Sequence, residues 1–187
     1  MLDFFHQLFG HVCGQYFAHT WSPGGELLPC CQRCTGVYVG AFVAVLLHFV
    51  RRPPSTSFWY QLNGVFLLLM IPAGFHWFAQ GPELRAASGI LFGFGLVAFL
   101  WLPLDRNIVP ASARKNSRAR LGISFVALVA VIVGTPLLGA SDSSIAAPML
   151  ALTTAGGALV LALLLAANLF LAVRGFSRWW PAARVAA

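Results

Sequence analysis

The chain has 187 residues, 59% of them hydrophobic and only 9% charged, with a formal net charge of +7. A soluble domain carries about 25% charged residues, so this chain cannot clothe a water-facing surface, and the ordinary soluble enzymes and binding modules are excluded. The positive charge does not indicate nucleic acid, because the basic residues are clustered between apolar runs, the arrangement that orients a membrane protein.

In chain order, the opening MLDFFHQLFG has Asp3 where a signal peptide needs a basic region, so insertion is expected to use the spanning helices themselves. Phe5, Leu8, Phe9, Val12 and Tyr16 recur at helical spacing, which predicts an amphipathic helix over Asp3–Phe17 lying in the membrane interface. Pro23, Gly24 and Gly25 break it, and Glu26–Arg33 reads as an ordered loop leading into the first span.

Five uncharged stretches then follow, approximately Cys34–Val50, Phe58–Ala79, Ala86–Leu104, Leu121–Ala140 and Ile145–Val173. A spanning helix takes about 17–25 residues. The fold class is therefore all-α, a polytopic helix bundle of about five spans behind an interfacial helix. It forms a single membrane domain over 1–187: an extracytoplasmic segment 1–33, a bundle 34–173 and a basic tail 174–187. Arg51 and Arg52, then Arg106, Arg114, Lys115, Arg118 and Arg120, then Arg174, Arg178 and Arg184 fall in alternate loops, which predicts a cytoplasmic C-terminus and an N-terminus outside. The expected location is the cytoplasmic membrane of a bacterium or archaeon.

Two basic residues do not fit that set, Arg33 and Arg85. Each is followed by a hydroxyl residue and a Gly-x-x-x-Gly, in RCTGVYVG (Arg33–Gly40) and RAASGILFG (Arg85–Gly93). This predicts a parallel repeat of helix pairs whose small residues let backbones approach closely.

The four cysteines, Cys13, Cys30, Cys31 and Cys34, all precede or open the first span. Cys31-Gln-Arg-Cys34 is a C-x-x-C, a spacing that suits two bonds to one metal ion or a redox pair. Cys13 is the natural third ligand. For the fourth, His11 would face away from Cys13 on a helix and His6 would lie two turns off, which leaves His19, His76 or Cys30. A static disulfide or inert thiols is the plain alternative.

The segment LPCCQRCTGVYVG (Leu28–Gly40) resembles the core motif L-P-x-C-x-R-C-T-G-x-Y-x-G of a family of small prokaryotic membrane proteins known as a domain of unknown function. Leu28, Pro29, Cys31, Arg33, Cys34, Thr35, Gly36, Tyr38 and Gly40 match it position by position. Upstream, Cys13 and Gln15 fit the family's C-H-Q element, with Gly14 in place of its His, and His19-Thr20-Trp21 stands where the family has Arg-Ser-Phe. Downstream, His76 replaces an Asp, Gln80 fits, and Arg85, Gly89 and Gly93 follow. The resemblance covers roughly the first half of the chain. It implies a polytopic membrane protein with Cys13, Cys31 and Cys34 as its defining set, and supplies no activity.

The expected site is thus a zinc centre of Cys13, Cys31 and Cys34 with His19 or His76, at the outer end of the bundle. Arg33, Arg85 and Gln80 are placed beside it to hold a lipid-derived substrate. Two other functions fit the same residues: a quinone-linked thiol–disulfide oxidoreductase, and a non-catalytic subunit of a membrane complex. The expected partners are the bilayer and a complex partner, and no nucleic acid. His48, Gln61, Asn63 and Asn168 are the remaining amide and imidazole side chains in the apolar runs; Asn168 is expected to bond between helices.

Overall fold

The structure, a computed structural model, describes residues 2–50, 56–108 and 118–185, and among them it is helical with no strand. Six helices follow one another: α1 (Leu2–Phe9), α2 (Gln32–Val50), α3 (Ser57–Gly74), α4 (Pro82–Ile108), α5 (Arg118–Gly139) and α6 (Ala146–Val185). Short 3₁₀ turns at Phe17–His19 and Pro23–Gly25 lie in the loop between α1 and α2. Four helices are long and apolar enough to cross a membrane: α2, α4, α5 and α6. The fifth expected span, α3, is 18 residues long and carries Gln61 and Asn63 in its first half. It nevertheless has to run the height of the bundle, because α2 and α4, which it connects, lie parallel. At ~1.5 Å per residue it is about 27 Å long.

The parallel pair is the centre of the fold. Gly36 lies against Ala86 and Ile90, Gly40 against Ile90, Gly89 against Arg33 and Val37, and Gly93 against Val37 and Ala41. In each case a Cβ would run into backbone, so only glycine permits this approach. The repeat read in the sequence is therefore a physical one, with two Gly-x-x-x-Gly faces interlocked. Helix α6 packs on the same helix through Gly157, which meets the Tyr38 backbone, while Gly156 meets the Phe42 ring. The main core joins Ala41, Ala44, Trp59, Phe66, Phe94, Val97, Leu128 and Leu164 from α2 to α6. Asn168 donates from α6 to the Leu100 carbonyl at 2.8 Å, the interhelical bond expected of it. Exposed apolar residues such as Leu68 on α3, Val126 on α5 and Leu163 on α6 form the outer surface, as lipid-facing helices require.

Helices α2, α4 and α6 thus run one way, and α3 and α5 return. A second cluster of Trp21, Leu28, Ala86, Ala147 and Leu150 ties the loop before α2 to the starts of α4 and α6. Gly24 N–H donates to the Ser141 carbonyl at 3.2 Å, and the Trp21 ring lies on Gly139. One end of the bundle therefore gathers the N-terminal segment, and the opposite end receives the helix ends that lead to the basic segments. Arg51, Arg52, Arg114 and Lys115 lie outside the described residues.

Two expected boundaries are corrected. The first helix stops at Phe9 rather than Phe17, because Gly10 and Gly14 are poor helix formers and the chain turns back at once, with Cys13 N–H on the Phe9 carbonyl at 2.9 Å. The second span stops at Gly74 rather than Ala79. Pro72 and Gly74 close it, and His76 adopts a left-handed φ of 55°, so His76 sits in a loop. The apolar part of α6 closes at Arg174, and the helix itself continues through Val185 over 40 residues.

Candidate metal centre

Cys31 precedes α2 and Cys34 is in its first turn, so the C-x-x-C spacing brings both thiols to one side of a helix start. Cys13 arrives from the turn after α1. The Sγ atoms of Cys13, Cys31 and Cys34 lie within 4.8 Å of one another. A tetrahedral zinc site with Zn–S of about 2.3 Å would hold its sulfurs about 3.8 Å apart, so a small contraction fits the triangle to an ion. The Cys31 N–H donates to the Cys13 sulfur at 3.4 Å, a bond that stabilises sulfur carrying negative charge. These three cysteines could hold a metal ion.

The fourth cysteine, Cys30, is buried beside Cys13 in a small cluster with Phe9, and Phe5 and Tyr38 pack against it. Its thiol hydrogen-bonds Cys13, which pushes Cys30 upward from the usual thiol range, and burial adds to the effect. The same contact is the largest of several that push Cys13 far down, followed by the thiols of Cys31 and Cys34.

The sequence reasoning missed the residues that hold this arrangement in place. Gln15, at a left-handed φ of 45°, donates its Nε2 to the His6 carbonyl at 2.8 Å and to the Pro29 carbonyl at 2.9 Å. It pins the turn carrying Cys13 against the loop carrying Cys30 and Cys31. His6 Nε2 pairs with the Leu27 carbonyl at 3.0 Å. Gln15 was visible only as a match to the family motif, and His6 gave no signal as a brace.

A cavity of about 570 Å³ opens beside the sulfurs, lined by Cys13, Cys31, Cys34, His19, His76, Arg33 and Arg85 together with Val12, Tyr16, Phe17 and Ala18. His19 and His76 thus share the cavity, but neither joins the sulfur triangle. His19 is held below the usual imidazole range, first by burial and then by the positive charges of Arg85, His76 and Arg33. Gln80 does not line the cavity. It is buried, and its Oε1 accepts from Arg33 Nη2 at 2.6 Å while its Nε2 donates to the Ala73 carbonyl at 2.8 Å. Arg33 Nη2 reaches the same carbonyl at 2.9 Å, so the pair caps the end of α3, where carbonyls lack helical partners. Among the described residues the Arg85 guanidinium makes one hydrogen bond, a long one from Nη1 to Gln32 Oε1 at 3.5 Å. Gln32 is buried at the start of α2 and carried no signal in the sequence.

Residues 13–99 match the model of a family described as predicted membrane protein (DUF2085). An uncharacterized protein of Methanothermobacter thermautotrophicus is 35% identical over 102 residues, which are 54% of this chain and 89% of that protein. No solved structure matches. The matched stretch contains Cys13, Cys31, Cys34, Arg33, His76 and Arg85 together.

Proposed function

Since this chain belongs to the predicted membrane protein family DUF2085, we propose that it is a membrane protein built around a zinc centre held by Cys13, Cys31 and Cys34. The observation that carries this is the sulfur triangle itself, three thiols within 4.8 Å with a backbone N–H aimed at one of them. Soft thiolate ligands select zinc among the common divalent ions of low redox activity. His19 and His76 line the same cavity, and one of them would complete the four positions. With the histidine bound, the centre would fasten the N-terminal segment to the parallel helix pair; with that position open instead, zinc would supply Lewis acidity toward a bound ligand. The basic residues of the alternate loops support the reading that this end of the bundle faces outward from the cytoplasmic membrane.

Metal analysis of the purified full chain tests the reading. About one zinc per chain is expected, lost in Cys13→Ser and in Cys31→Ser. Wild-type protein with no zinc above the level of Cys31→Ser would end it. If that protein instead formed a Cys31–Cys34 disulfide in air, thiol exchange would be the better account.

A further inference from the structure

We propose that the cavity beside the three thiols is an anion site for a phosphate group, gripped between Arg33 and Arg85. This deepens the metal reading and rests on it for the chemistry of the neighbouring sulfurs, but it stands on separate residues. The two arginines come from the two halves of the repeat, Arg33 from the start of α2 and Arg85 from the start of α4. The interlocked glycines hold the backbones of the two helices in close contact.

Each arginine is only partly used. The Nε of Arg33 and the Nε of Arg85 are both buried with no hydrogen-bond partner. A buried donor without a partner is costly, and a planar guanidinium matches phosphate oxygens two at a time. Among the described residues no carboxylate lines the cavity. Three thiolates on a divalent ion leave one negative charge, and the two guanidinium groups supply two positive ones, so a positive balance is left for an anion. The parallel helices α2 and α4 also begin at this end, and helix starts favour negative charge. The lining also includes apolar and aromatic residues, with Tyr16 and Phe17 exposed. A lining that holds both cationic and apolar groups suits a phosphate carried on a lipid as well as the free ion.

The test uses the purified full chain with two probes, inorganic phosphate in detergent and phosphatidic acid in nanodiscs against phosphatidylcholine. Binding is read by thermal shift and native mass spectrometry, and zinc is measured on every sample. Wild type is expected to bind at least one phosphate probe. Arg85→Gln should weaken that binding roughly ten- to hundred-fold, the usual effect of one charge-assisted contact. Arg85→Lys, which keeps the charge and loses the fork, should fall between them. Zinc content should be unchanged in both variants, which also shows that they fold. Arg33 is not the residue to change, because it caps α3. Binding of free phosphate identifies a soluble ligand, and binding of phosphatidic acid alone identifies a lipid. Wild type that binds neither probe, or Arg85→Gln that binds as wild type does, overturns the proposal. Arg85-dependent binding by zinc-free protein would uphold the anion site and reject the metal.

Discussion

Gly93→Ala in α4 adds one carbon where the structure has no room. A Cβ there would run into the Val37 carbonyl, with its carbon 2.8 Å away and the Ala41 nitrogen at 3.1 Å. Carbon atoms rest about 3.5–4.0 Å apart, so α2 and α4 must separate by roughly 1 Å. Overpacking of this kind costs about 1–3 kcal/mol, and both obstacles are backbone, which cannot swing aside, so the upper figure applies. Alanine returns ~1 kcal/mol of helix propensity. The net loss is about 2 kcal/mol, or roughly 4–8 °C in unfolding temperature for a domain of this size. Gly122 in α5 supplies the control, since a Cβ there meets nothing within 4 Å. Gly122→Ala should raise the unfolding temperature by about 2–4 °C through propensity alone. Thermal unfolding of both variants in the same detergent, followed by circular dichroism, makes the comparison. If the two substitutions shift stability in the same direction, the helix pair is not held at backbone contact.

Other perturbations separate the parts of the site. Gln15→Ala removes both braces of the Cys13 turn, and zinc affinity, measured by chelator competition, should fall about 10–100-fold although no ligand has changed. His19 has its folded pKa depressed, chiefly by burial. The unfolded chain therefore protonates first as pH falls, and the stability that His19 contributes above the ordinary imidazole value is lost on acidification. Metal-free wild type should thus lose unfolding temperature more steeply between neutral and mildly acid pH than metal-free His19→Gln. Asn168→Leu removes the bond from α6 to the Leu100 carbonyl; a loss of about 0.6–2 kcal/mol is expected, seen as a small drop in unfolding temperature with zinc content intact.

The spans were legible because length and apolarity are properties of a local stretch, and the Arg33 and Arg85 repeats announced the interlocked pair because glycine spacing is itself the packing instruction. Helix ends were harder. The apolar run after Pro72 continues to Ala79, so hydropathy extends the span past the point where the backbone turns at His76. The arginines after Val173 read as the close of a span, yet arginine is a good helix former and α6 runs on through Val185. At the site, the C-x-x-C spacing and the family motif led to Cys13, Cys31 and Cys34. Gln15 and Gln32 were not legible as supports, because a brace is defined by what it reaches across the fold. Gln80 illustrates the same point: its position beside Arg33 suggested a ligand contact, and its geometry makes it the partner that holds the arginine to α3.

Helix α6 has 40 residues, about 60 Å of rod, against roughly 30 Å of hydrocarbon. Even strong tilting cannot hide it all, so its last turns must stand clear of the bilayer on the face away from the sulfurs. A reporter or affinity handle fused there would be reachable by protease from that face alone, which turns the rod into a gauge of topology that leaves the cysteine end untouched.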